Sequence, residues 1–268
     1  MEQIVHVQGR HVRVLEAGRG APVLFVHAFP LAADLWRPQL DAVPEGWRFI
    51  APDLRGFGPL PADVELVRDV DGHAHDLIAL ADHLGLARFA LVGLSMGGYI
   101  AMAVARLAPE RLAALVLCDT RAEADTEEGR QNREGMREAL RTGGPGAVAD
   151  AMVPRLLGPT SQRERPALGG LVRAMIERNG ATGIDAAIVA LMTRPDASAG
   201  LQGLACPTLV IAGAEDGLTP VETHARMQAL IAGSRLEVID GAGHLSNLER
   251  PDAVNAILFR FLAESGQP

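Results

Sequence analysis

The stretch Phe89–Leu107, FALVGLSMGGYIAMAVARL, passes from a β-rich apolar run to a helical one, with Ser95 at the joint. Within it Gly93, Ser95 and Gly97 fit the pattern G-x-S-x-G. A serine on a tight strand-to-helix turn needs small neighbours, because the backbone there is strained and closely packed. Such a turn lifts Oγ out of a sheet, and the N–H groups that follow open a helix, where developing negative charge is favoured. A duller reading is a glycine-rich turn whose serine only caps the helix. The strand before Ser95 and the helix after it favour a reactive serine over that cap.

A nucleophilic serine needs a base, and the base needs an orienting acid. Both residue types follow downstream at the ends of β-rich runs. Asp216 lies in GAEDGLTP (213–220) after LVIAG, and His244 ends GAGH (241–244) after LEVI. Asp216 also suits a helix N-cap or an Asx turn, and Glu215 and Asp119 compete with it as the acid.

In these residues, and in their chain order Ser, Asp, His, the sequence resembles the α/β-hydrolase superfamily over nearly its whole length. The resemblance favours Asp216 as the acid, because its loop matches the family's D-x-x-x-P pattern with Pro220. It implies a triad of Ser95, Asp216 and His244 acting through an acyl-enzyme, with no cofactor. His27-Ala28-Phe29-Pro30 resembles the family's His-Gly motif, which implies an oxyanion hole from the backbone N–H groups of Phe29 and Met96. Ala28 stands where the family's glycine is usual, and alanine enters positive φ only at a cost. His27 is expected to pack and hydrogen-bond beneath that loop. Relatives that open epoxides or displace halide carry aspartate where this chain has Ser95, which disfavours those activities.

Around these motifs the chain alternates strand and helix, as α/β units on a mostly parallel sheet do. Strand patterns fall at Ile4–Val7 and Val12–Leu15, flanking a turn at Gly9, then at Pro22–His27, Arg48–Pro52, Phe89–Leu94, Leu112–Cys118, Thr208–Ala212 and Arg235–Ile239. Helical periodicity covers Asp69–Leu84, Met96–Leu107, Pro220–Ile231 and Pro251–Ala263. From Arg121 to Gly200 helical patterns alone persist, broken at Thr142–Gly146 and Gly158–Thr160. The expected fold is therefore α/β, an eight-stranded, mostly parallel sheet flanked by helices with an inserted helical cap. Residues 1–120 and 201–268 form the two parts of the core, and 121–200 the cap.

Composition narrows the chemistry further. The 268 residues contain no lysine, so all 25 basic side chains are arginine. Schiff-base, pyridoxal-phosphate and Walker A chemistries, which need a lysine amine, are excluded. A net charge of −8 without an arginine-rich block speaks against nucleic acid or an anionic membrane as partner. Two cysteines, Cys118 and Cys206, make no disulfide framework. The N-terminus lacks a basic and apolar leader and no 18-residue apolar stretch occurs, so a cytoplasmic location is expected. His73, His75 and Asp76 lack the spacing of metallo-hydrolases, and residues two apart on a helix face different ways, so no metal site is expected; a solvated helix face is the reading instead.

The expected partner is a small-molecule ester; the oligomeric state is not assigned from sequence. Candidate apolar lining comprises Phe29, Trp36, Met96, Leu156, Leu157, Met175, Ile188 and Met192, any of which also suits a core. HAFPLAADLW and DLRGFG resemble small bacterial carboxylesterases, cofactor-free haloperoxidases (perhydrolases) and 3-oxoadipate enol-lactonases. Pro30, after the oxyanion aromatic, resembles the perhydrolase members, implying peracid formation as a side activity. A lactonase or carbon–carbon bond hydrolase is the alternative, and a ligand-binding member with a vestigial triad is a third reading. An enol-lactone substrate would call for a cation, and Arg121, Arg133, Arg137 and Arg173 are available for it.

Overall fold

In the computed structural model, which describes residues 1–60 and 65–266, eight strands form one sheet. They are β1 (Glu2–Val7), β2 (Arg10–Gly18), β3 (Gly20–Val26), β4 (Gly46–Pro52), β5 (Phe89–Leu94), β6 (Leu112–Cys118), β7 (Thr208–Gly213) and β8 (Arg235–Ile239). Their order is β1-β2-β4-β3-β5-β6-β7-β8, and β2 alone runs against the rest. The hairpin β1–β2 turns through Gln8 and Gly9, both at positive φ, which matches the right-handed twist of paired strands.

Strands β5 and β7 are buried along their whole length, and β6 nearly so, because helices cover both faces. The flanking helices are α1 (Arg37–Asp41), α2 (Val70–His83) and α3 (Met96–Leu107). The Asp69 side chain caps α2 by accepting from Gly72 N at 2.6 Å. Between β6 and β7 come α4 (Glu127–Leu156), α5 (Pro159–Glu164), α6 (Ala167–Glu177), α7 (Ala181–Thr193) and α8 (Ser198–Leu201). Helix α4 is interrupted at Gly144, where φ is 67°, inside the break read from Thr142–Gly146. The core closes with α9 (Val221–Ala229), α10 (Ser246–Glu249) and α11 (Pro251–Glu264). Among the described residues no helix is long and apolar enough to cross a membrane.

One expectation about α2 needs correcting. His73 does not face solvent: it is 1% exposed, on the same inward face as Leu77 and Leu80, one and two turns further on. His75 is exposed, and Asp76 is held by both Arg10 and Arg55. Among the described residues no cluster of three His, Cys, Asp or Glu could hold a metal.

This topology creates the place for a site. The chain leaves β3 for β4 on one side and reaches β5 on the other, so a crevice opens beyond the carboxyl ends of β3 and β5. Phe29 follows β3, Ser95 follows β5, Asp216 follows β7 and His244 follows β8.

Candidate active site

Ser95 sits at φ 55° and ψ −112° between β5 and α3. That left-handed backbone costs a non-glycine residue energy, and such residues persist only where the surroundings hold them. The surroundings do so through backbone. A Cβ on Gly93 would stand 2.2 Å from the Gly97 carbonyl oxygen, and one on Gly97 would stand 2.1 Å from that of Val26. Ser95 N donates to Cys118 O at 2.9 Å, and Thr120 Oγ1 donates to Ser95 O at 2.8 Å. The Ser95 side chain does not cap α3, which removes the simple N-cap reading.

Its Oγ instead lies 2.8 Å from His244 Nε2, while His244 Nδ1 lies 2.7 Å from Asp216 Oδ2. An ionised Asp216 can only accept, so Nδ1 carries the proton and Nε2 is left to accept from the Ser95 hydroxyl. Asp216 also accepts from Leu218 N and Thr219 N at 2.8 and 3.0 Å and from Thr219 Oγ1 at 2.5 Å. The Asx-turn geometry and the contact with His244 are therefore made by one side chain. Thr219, three residues on in the same loop, is a partner that motif reading passed over.

The competing carboxylates are engaged elsewhere. Glu215 accepts from Thr160 N and Oγ1. Asp119, fully buried at φ 45°, accepts from Gly213 N at 2.8 Å and from Ser246 N and Oγ at 3.3 and 2.5 Å. Burial, with the Asp216 charge nearby, raises the Asp119 carboxyl far above the ordinary carboxylate range. Burial also pushes Asp216 upward, but the His244 charge and the bonds from His244 and Thr219 outweigh it, so Asp216 falls below its ordinary value. His244 moves the other way: burial lowers it, and the adjacent Asp216 raises it further, for a net rise.

The loop after β3 brings Phe29 to the same cavity. Leu31 N donates to Ala28 O at 2.9 Å, closing a tight turn whose Phe29–Pro30 bond is cis. Ala28 is not at positive φ, so it meets no penalty in the glycine's place. His27 is buried; its Nδ1 pairs with Ala28 O and its Nε2 accepts from Leu54 N, both at 3.0 Å, with Phe57 edge-on to the ring. Met96 opens α3, where the first N–H groups have no intrahelical partner. Asn179, after α6, ties these parts together. Its Nδ2 donates to Pro30 O at 2.7 Å and Met175 O at 3.1 Å, and its Oδ1 accepts from Gly58 N at 2.8 Å.

A cavity of about 210 Å³ opens on Ser95 and His244. Phe29 lines it, with Tyr99, Met136, Met152, Leu191, Leu218 and Thr219. Trp36, Met96, Leu156, Leu157, Met175 and Ile188 are buried in the core, and Met192 packs against it. Alternation and helical spacing mark these residues as buried without saying which face they bury. Of the cationic candidates Arg121 and Arg133 line the cavity, joined by Arg155, which motif reading did not single out. Arg137 turns to Asp185 and Glu134, and Arg173 to Asp150 and Glu177.

Comparison with known proteins places this architecture. The esterase from Thermogutta terrifontis, solved with malate bound, is 37% identical with a TM-score of 0.92, covering 99% of both chains. The non-heme haloperoxidase of Rhodococcus erythropolis is 31% identical over 95% of this chain and 96% of its own. The 3-oxoadipate enol-lactonase 2 of Acinetobacter baylyi is 29% identical over 89% of each. The model of the α/β-hydrolase fold family matches residues 21–251, and the chain belongs to that family.

Proposed function

We propose that this protein hydrolyses carboxylic esters through an acyl-enzyme on Ser95. The observation that carries the reading is the continuous hydrogen-bonded line from Ser95 Oγ through His244 to Asp216. In this reading Ser95 Oγ attacks the ester carbonyl as His244 Nε2 takes its proton, and Asp216 steadies the imidazolium. The N–H groups of Phe29 and Met96 receive the oxyanion. The alcohol leaves with the proton from His244; water, deprotonated by the same histidine, then attacks the acyl carbon and frees Ser95. Residues 121–200 act as the cap, since α4 and α7 supply Met136, Met152, Arg155 and Leu191 to the cavity wall.

The esterase, haloperoxidase and enol-lactonase relatives all fit one acyl-serine intermediate whose fate the pocket decides. A second reading is a perhydrolase side activity, in which hydrogen peroxide replaces water and the product is a peracid. Pro30 beside Phe29 and the haloperoxidase relative favour it.

The test is a burst assay with p-nitrophenyl acetate, butyrate and octanoate on wild type and Ser95→Ala, with and without hydrogen peroxide. The expected result is a stoichiometric burst in wild type, with turnover in the variant falling by at least about 10³-fold. Most of the activity surviving in Ser95→Ala would sink the proposal.

A further inference from the structure

The wall of the Ser95 cavity carries positive charge that the protein itself does not neutralise. Arg121, Arg133 and Arg155 line it against a single carboxylate, Asp125. Asp125 is already shared, since Arg133 pairs with it from α4 and the buried Arg194 reaches it at 2.5 Å from behind. Arg121 gives its guanidinium to the Leu218 carbonyl and has no carboxylate partner among the described residues. Arg155, in the last turn of α4, has neither a hydrogen bond nor an ion pair among the described residues. Most arginines of this acidic chain meet a carboxylate, as where Arg10 and Arg55 grip Asp76 and Arg13 meets Glu2, Asp34 and Asp53. Arg19, Arg88, Arg165 and Arg178 also lack one among the described residues, but none of them lines the Ser95 cavity.

A guanidinium is always ionised and offers a planar fork that matches a carboxylate. Two such forks without counter-charge, on one cavity with a serine–histidine pair, make an anionic group the favourable occupant of that side. Phe29, Tyr99, Met152 and Leu191 provide an apolar wall in the same cavity. An uncharged alkyl ester would meet the apolar wall and leave the arginines unpaired.

We propose that the preferred substrates are half-esters of dicarboxylic acids, whose free carboxylate is taken by Arg155 with Arg121 while the ester carbonyl faces Ser95. This rests on the ester-hydrolase reading above and adds the substrate class to it. The affinity gained is electrostatic and reaches solvent at Arg155, so it weakens as salt rises.

The test compares kcat/KM for mono-p-nitrophenyl glutarate and the uncharged p-nitrophenyl hexanoate in wild type, Arg155→Gln and Arg155→Lys, at low and high ionic strength. Calorimetric titration of glutarate into each protein accompanies it. Wild type is expected to prefer the half-ester by about tenfold or more. That ratio collapses in Arg155→Gln mainly through KM, is largely kept in Arg155→Lys, and shrinks with salt. Glutarate binds wild type and loses most of its affinity in Arg155→Gln. Turnover of the neutral ester with no half-ester preference, or glutarate binding indifferent to Arg155, overturns the proposal. If neither ester is turned over while glutarate still binds through Arg155, the hydrolase reading falls and the carboxylate site stands.

Discussion

His244 is held by partners of opposite demand, a carboxylate that accepts on one side and a hydroxyl that donates on the other, and this fixes its tautomer. Its pKa is raised by Asp216 above the ordinary 6.5. As the proposed general base His244 works only when neutral, so kcat/KM is expected to fall as pH drops through that raised value, with the acid limb's midpoint above 6.5 in a pH-rate profile. Two aspartates give contrasting outcomes. Asp216→Asn removes the acceptor that fixes the tautomer and is expected to lower kcat by about 10⁴-fold. Asp119→Asn keeps an acceptor for Gly213 N and tolerates the left-handed backbone, so its kcat should stay within a few-fold of wild type. Equal losses in both would show that Asp119 shares the acid's work. The motif made Ser95 and His244 legible from their flanks alone. It left Asp216, Glu215 and Asp119 to be weighed against one another, because adjacency along the chain does not say which carboxylate faces an imidazole.

At the level of elements, the loop after β3 is steadied by a side chain far away in sequence. Asn179 spans 149 residues to Pro30 and 121 to Gly58, so no local pattern announces it. Replacing it with alanine leaves the buried Gly58 N–H and Pro30 carbonyl without their partner, each costing about 1–3 kcal/mol. Asn179→Ala is expected to lower the thermal midpoint by several degrees and kcat by about tenfold. A fall in stability with kcat intact, measured well below the midpoint, would show that the Asn179 bonds carry stability alone. The strand-turn-helix around Ser95 is readable because its marks lie within a few residues, glycines on either side of the serine and apolar periodicity that changes from β to helical, although the backbone that excludes a Cβ on Gly97 is that of distant Val26. The same periodicity could not separate cavity from core, which is why Met96 and Ile188 prove to be packing while Met136 and Met152 line the cavity.

Over the whole molecule, burial sets the response to acid. His27, His73 and His224 are all lowered by desolvation, His73 to about 3. The unfolded chain protonates them near 6.5 while the folded one does not, so stability is full above that value and falls as pH drops below it. Each contributes up to about 1.4 kcal/mol per pH unit until its folded pKa is reached. Asp34 and Asp125, lowered by their arginines against the pull of burial, add loss in the same direction at lower pH. His244 acts oppositely, giving stability below 6.5 that is lost as pH rises through its folded value. The thermal midpoint is therefore expected to fall steadily from pH 7 to pH 5. Neither ring nitrogen of His73 has a hydrogen-bond partner among the described residues, so His73→Leu should keep or raise the midpoint at pH 7 and flatten that fall. A steeper fall in the variant would contradict the assignment.

The sequence by itself determined the alternation of strand and helix, the break at Thr142–Gly146 and the small residues that flank Ser95, because propensity and periodicity act between neighbours along the chain. Only the tertiary structure decided that Asp216 meets His244 across 28 residues and that His244 meets Ser95 across 149. It alone decided, too, that Arg121 and Arg155 share a cavity while Arg137 and Arg173 pair away from it. The physical reason is the same in each case. Hydrogen bonds and ion pairs form between side chains that packing brings within about 3 Å, and the strand order that sets those distances is a property of the whole sheet.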